Sequence, residues 1–183
     1  MEEKITALKE AGDTAGGVVE IRVRGLKSGF GSMMTYAEKL DACLAQGLMS
    51  IQAVKGVEFG LGFQTASKKG SEVHDEIFYD ETRGFYRNSN HAGGIEGGIS
   101  NGEEIVVRIA MKPIPTLMKG LKTVDFESKE ESTAATERGD VCAIYALEVV
   151  AEAVVAQVLA DAVAKRLGGD TMEQVEKRYN ELP

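Results

Sequence analysis

The sequence predicts an α+β fold: a largely antiparallel sheet layered with helices. Three features carry that expectation. Residues 16–26, GGVVEIRVRGL, and 103–113, EEIVVRIAMKP, alternate apolar and polar side chains with β-branched character, as half-buried strands do. Residues 141–167, VCAIYALEVVAEAVVAQVLADAVAKRL, form one long alanine-rich run with helical spacing. The strand-like stretches are joined by short turns, which suit hairpins better than βαβ winding.

Taken in order, residues 1–11 read as a short amphipathic helix closed by Gly12, and the strand 16–26 follows. KSGFGSMM turns the chain. YAEKLDACLAQGLMSI (36–51) sets Ala37, Leu40, Leu44, Leu48 and Ile51 at helical spacing. VKGVEFGLGF (54–63) is a second strand, its glycines suggesting a bulge or the close approach of another backbone. EIFYD and GFYRN flank DETRG as a hairpin. HAGGIEGGISNG (91–102) then places five glycines in twelve residues ahead of the clearest strand, 103–113. KTVDFES (122–128) is a further strand. The helix at 141–167 is apolar around most of its circumference, which calls for cover on more than one side. Gly168 and Gly169 end it, and a polar helix at 172–182 closes the chain.

Composition narrows the function. With 183 residues the chain is long enough for a single domain, 1–183, with a real core. A net charge of -8 argues against a nucleic-acid partner and requires any anionic ligand to be met by a local basic pocket. Cys43 and Cys142 are the two cysteines and show no metal spacing, as expected of free thiols in a reducing compartment. No apolar run reaches the roughly 18 residues of a membrane span. A soluble cytoplasmic protein is the expectation, with no membrane partner. His74 and His91 lie in polar, turn-like surroundings, as surface residues rather than a metal site.

Three clusters could carry chemistry. The glycine-rich loop with Ser100 and Asn101 offers bare backbone to a flat or phosphorylated ligand, or is a turn letting two elements pack closely. It precedes a strand rather than a helix, so it is not a dinucleotide fingerprint. KPIPT, Lys112 to Thr116, is stiffened by two prolines that fix φ and remove donors. It holds a cation and a hydroxyl at a set separation, or is a strand end with an exposed lysine. ERGD, Glu137 to Asp140, stands ahead of the long helix. There Asp140 is an N-cap, or Arg138 and the helix start form an anion site with Asp140 as proton acceptor.

The order of these clusters is more informative than any one of them. RNSNHAGGIEGGISNGEEIVVRIAMKPIPT followed by ERGDVCAIYALEVVAEAVVAQVLAD resembles the carboxy-terminal half of chorismate synthase, and GDTAGGVVEIRVRG, KLDACLAQGLMSI, AVKGVEFGLGF and GSEVHDEI agree in order. The resemblance implies half of that family's β-α-β sandwich. It implies a 1,4-anti elimination of phosphate from 5-enolpyruvylshikimate 3-phosphate, giving chorismate in the shikimate pathway with reduced FMN (FMNH2) as cofactor. It also implies a homotetramer, with flavin reduced by NADPH or by outside reductases. By the same resemblance, Gln52, Ala53, Gly97, Lys112, Pro113, Ile114, Pro115, Thr116 and Arg138 contact the flavin. Asp140 matches an aspartate implicated in proton removal, and no metal is expected.

Family members also carry an amino-terminal half with a Ser-His-Gly motif, a second histidine and substrate-binding arginines, none of which is found here. This chain is therefore expected to be inactive alone. The alternative is a non-catalytic module that keeps the fold, FMN and subunit contacts; a third reading is a generic phosphate-binding domain. Gly139, Tyr145, Cys43 and His91 depart from the usual family residues.

Overall fold

Every strand pairing in the computed structural model, which describes residues 2–182, is antiparallel. The elements follow the alternating and helical segments closely: α1 (Glu2–Glu10), β1 (Gly17–Val23), α2 (Leu40–Met49), β2 (Val54–Phe59), a 3-10 turn (Gly62–Ser67), α3 (Gly70–Val73), β3 (Ile77–Asp80) and β4 (Gly84–Arg87). Then come β5 (Ile95–Glu96), β6 (Ile99–Ser100), β7 (Ile105–Met111), β8 (Lys122–Val124), β9 (Glu131–Thr133), α4 (Ile144–Leu167) and α5 (Met172–Asn180).

The main sheet has the order β1-β7-β2, with β7 between two strands that run opposite to it. Period-two alternation puts Ile105, Val107, Ile109 and Met111 on one buried face. Their partners in register include Val19, Ile21 and Val23 on one side and Val57 and Phe59 on the other. The register slips between Val54 and Gly56, the bulge expected from the glycine in this strand. Leu40, Leu44 and Leu48 of α2, with Ile144, Leu147, Ala151 and Val155 of α4, complete the core against this face. The opposite face carries ion pairs: Arg22 with Glu20 and Glu104, Arg24 with Glu104, and Arg108 with Glu58. The result is two layers, helices on one side of a sheet.

Three expectations are corrected. First, α2 starts at Leu40 rather than residue 36, because its first N–H is taken by an outside acceptor, the carbonyl of Gly98 (2.8 Å). Second, the strand at 122–128 stops at Val124. The carboxylate of Asp125 accepts the N–H groups of Glu127 (3.0 Å) and Ser128 (2.7 Å), turning the chain back into β9. Third, α4 starts at Ile144, not residue 141, and its N-cap is Ala143, so Asp140 caps nothing. The start is set by packing: a side chain at Gly17 would come within 2.7 Å of Ile144 Cδ1, so Ile144 fills that space above β1. Within this chain α4 is covered on one side, and Tyr145, Val149 (68% exposed) and Val150 face outward on the other.

A backbone contact and a side chain fix the helix ends. Gly168, at φ 57°, stops α4 with its N–H on the carbonyl of Ala164. Tyr179 of α5 stacks on the buried Phe30 at 5.9 Å and donates to the carbonyl of Gly25 (2.6 Å).

Candidate functional site

Strand β7 ends by delivering a proline-stiffened segment to one edge of the molecule. Beyond Met111, the N–H of Lys112 donates to the carbonyl of Ala53 (2.9 Å). Gln52 and Ala53 occupy the turn just before β2, and Ala53 takes a left-handed φ of 69°. Pro113 and Pro115 have no N–H to give. The carbonyl of Ile114 accepts instead from the hydroxyl of Thr14 (2.7 Å). Lys112, Pro113, Pro115 and Thr116 are exposed.

The chain leaves this point as an exposed ribbon, β8 and β9, and returns at its base. The N–H of Glu137 reaches the carbonyl of Leu117 (3.3 Å), so Thr116 and Arg138 flank the two feet of one hairpin. The N–H of Ala15 then holds the carbonyl of Val141 (2.8 Å). Thr116, Arg138, Gly139 and Asp140 line a cleft of about 320 Å³. Thr116 Oγ1 lies 3.6 Å from where a Cβ on Gly139 would stand.

The far wall comes from a part of the sequence that site reasoning passed over. Lys9, Gly12, Asp13 and Thr14 line the same cleft. Their signal was local: a helix end followed by the turn-forming GDT of GDTAGG. The cleft thus holds the cations Lys9 and Arg138 beside the carboxylates Asp13, Glu137 and Asp140. Among the described residues, neither Arg138 nor Asp140 is in an ion pair.

A second cleft of about 300 Å³ between α2 and α4 contains none of the expected site residues. Its cations are committed, Lys165 to Asp161 (2.6 Å) and Arg166 to the carbonyl of Gly29 (2.5 Å). The first cleft, by contrast, keeps Lys9 and Arg138 out of ion pairs among the described residues, with three carboxylates beside them. A guanidinium, an ammonium and a hydroxyl suit a phosphate monoester, and the volume is at the small end of ligand sites. That donor set fits the phosphate end of a flavin mononucleotide. Among the described residues there is no group of three or more His, Cys, Asp or Glu side chains able to hold a metal, and no helix long and apolar enough to cross a membrane.

Gly97 does not join this cleft. Gly97 (φ 61°) and Gly98 (φ 85°) are the two central residues of the β5–β6 hairpin, both in the left-handed conformation of a type I′ turn. The hairpin docks on the start of α2 through the Leu40 N–H, near the Ile105 end of β7. Lys112 follows the other end, about 20 Å away at the rise of a seven-residue strand. Within one chain the glycine turn and the cleft are separate. Of the expected residues, Thr116, Arg138 and Asp140 line the cleft, while Lys112 and Ala53 meet through one hydrogen bond at the end of β7, next to Gln52, Pro113, Ile114 and Pro115 in the chain.

Two buried polar residues position the glycine turn. Ser100, 3% exposed, accepts from the N–H of Phe30 (2.9 Å) and donates to the carbonyl of Lys27 (2.8 Å). The fully enclosed carboxylate of Asp75 accepts from Ser89 Oγ (2.5 Å) and from the N–H groups of His91 (2.8 Å) and Ala92 (2.9 Å). His91 is half-buried rather than a surface residue, its Nδ1 3.1 Å from the carbonyl of Val73.

Comparison with known proteins matches this arrangement to one family. A family model described as chorismate synthase matches residues 1–164. The chain is 57% identical over 186 aligned residues to a chorismate synthase of Geobacter sulfurreducens, covering 98% of this chain and 47% of that protein. It is 56% identical to one of Thermoanaerobacter pseudethanolicus, covering 96% and 50%. A solved crystal structure of a chorismate synthase superposes with a TM-score of 0.82 at 44% identity, covering 98% of this chain and 46% of that one. The chain spans about half the length of the curated relatives it matches.

Proposed function

The chain belongs to the chorismate synthase family, and from that premise we propose that it supplies the flavin-facing half of a carbon–oxygen lyase acting on a phosphate ester. The reaction is the 1,4-anti elimination of phosphate from 5-enolpyruvylshikimate 3-phosphate. The observation that carries this reading is that Thr116, Arg138 and Asp140, drawn from segments more than twenty residues apart, line one cleft.

Arg138, Lys9 and Thr116 would hold the phosphate of reduced FMN, which would supply electron density for the leaving step with no net redox change. The residues of this chain do the rest by position and charge. Arg138, Lys9 and the Thr116 hydroxyl hold a phosphate group against a protein of net charge -8. Lys112 adds a cation at the end of β7. The two prolines keep the Lys112-to-Thr116 segment from rearranging as charge moves. Asp140, free of a capping role, presents a carboxylate that accepts a proton. Gly97, on its separate turn, completes a flavin site when chains assemble as a tetramer, and the assembly is cytoplasmic. Flavin reduction draws on NADPH or an outside reductase.

The test is an anaerobic titration of the chain with reduced FMN, followed by flavin fluorescence or absorbance. The expected result is saturable binding that Arg138→Ala weakens by about tenfold, the scale of one charge-assisted contact. The chain alone is expected to yield no chorismate, and activity is expected when it is joined by an amino-terminal half bearing a Ser-His-Gly segment. Equal affinity for flavin in the wild type and Arg138→Ala would remove the cleft from the flavin site.

A further inference from the structure

We propose that Thr14 is a positioning residue for the cleft: its hydroxyl sets the course of the proline-stiffened segment 112–116 and so the placement of Thr116. The inference rests on the cleft being the flavin-phosphate site, and it gives a role to a residue that is not among the contacts implied by resemblance.

The argument starts from what two prolines take away. In Lys112-Pro113-Ile114-Pro115-Thr116 three N–H groups remain, and the first is spent on Ala53. The sheet cannot hold the rest, because Gly17↔Met111 is the last pair between β1 and β7. A segment that has left its ladder and lost alternate donors is held through its carbonyls or not at all. Thr14 meets that need, donating to the carbonyl of Ile114 at 2.7 Å across 100 residues of sequence.

The neighbouring residues bring Thr14 to that point. A Cβ on Gly16 would stand 2.2 Å from the Met111 carbonyl oxygen and 3.0 Å from Pro113 N, so only glycine lets the two backbones come this close. The Asp13 carboxylate accepts the N–H of Thr14 (2.8 Å), fixing its backbone. The same stretch holds the other walls of the cleft: the carbonyl of Gly12 accepts from Lys119 (3.0 Å), and Ala15 donates to Val141 (2.8 Å). Of these three ties across the cleft, the one to Ile114 is made by a side chain. It is therefore the one that a substitution can remove without touching the backbone.

The experiment compares wild type, Thr14→Val and Thr14→Ser. Valine keeps the shape and loses the hydroxyl, and serine keeps the hydroxyl. Two readouts are taken: amide hydrogen exchange of Lys112 and Ala15, whose N–H groups donate to the carbonyls of Ala53 and Val141 on either side of the Thr14 contact, and affinity for reduced FMN. Thr14→Val is expected to speed exchange at these two amides and to lower flavin affinity about fivefold, the scale of one neutral hydrogen bond. Thr14→Ser is expected to restore both to within about twofold. Unchanged exchange in Thr14→Val overturns the anchoring, and faster exchange with unchanged flavin affinity overturns the positioning role. A wild type that takes up no flavin sinks the reading of the cleft instead, and the exchange data alone then decide whether Thr14 holds the segment. If Thr14→Val does not fold, Thr14→Ala serves in its place.

Discussion

The carbonyl of Ala53 accepts the N–H of Lys112 at 2.9 Å, joining the turn before β2 to the end of β7. Ala53 makes this contact from the left-handed region, φ 69°, where a Cβ costs roughly 1–2 kcal/mol. The turn is thus strained in the service of one hydrogen bond. Ala53→Gly relieves the strain and is expected to leave the urea midpoint equal to wild type or higher. Ala53→Val adds a β-branch at the same φ and is expected to lose about 1–3 kcal/mol. A valine variant as stable as wild type would show that the turn tolerates another backbone course.

Asp140 separates a capping role from a chemical one. A capping aspartate replaced by alanine costs about 1 kcal/mol. Because α4 starts at Ile144 with Ala143 as N-cap, Asp140→Ala is expected to change unfolding free energy by no more than about 0.5 kcal/mol. A loss of a full kilocalorie in thermal or urea unfolding would return Asp140 to the helix and weaken the case for it as a proton acceptor.

Local signals carried most of the fold and little of the cleft. The alternation in β7 and the spacing of Leu40, Leu44 and Leu48 are properties of short windows, and they mapped directly onto buried faces. The cleft depends on contacts that no window contains: Thr14 meets Ile114 across 100 residues. Where α4 starts was not legible, because Ile144 packing beside Gly17 outweighs the attraction of an aspartate for a helix end. The glycine turn was legible as a turn. Its distance from Lys112 was not, since that follows from the Gly98 carbonyl docking on Leu40. Asp75 gave no warning at all, as a charged residue in a polar stretch reads as surface.

The buried Asp75 carboxylate makes stability depend on acid pH. Burial pushes its pKa up, but the hydrogen bonds from Ser89, Ala92 and His91, together with the nearby His91 ring, outweigh that and hold it below the usual 3.8. A depressed native pKa gives stability that is fully present above the unfolded value and is lost as pH falls through the native one. Asp75→Asn, which keeps the size and loses the charge, is expected to cost about 2 kcal/mol between pH 5 and 8. The gap to wild type is expected to close as pH drops below about 4. Unfolding curves of the two proteins at pH 7 and pH 3 check this, and a gap of equal size at both would show that charge has no part in holding segment 89–92.

The outer face of α4 offers a contrast between two neighbouring positions. Ala146, Val149, Ala153, Ala156 and Ala160 are all exposed and recur at spacings of three and four, the pattern of a helix–helix seam. On the opposite side, Ala151 is completely buried in the core. Val149→Glu puts a charge where water already reaches and is expected to shift stability by no more than about 0.5 kcal/mol. It is also expected to reduce concentration-dependent association in sedimentation velocity, because it breaks a contiguous apolar patch. Ala151→Glu places an unpaired charge among Leu147, Val155 and the strands, and is expected to prevent folding. Comparable damage from both substitutions would mean that the outer face is covered when the protein folds, and that α4 is wrapped by apolar partners on both sides.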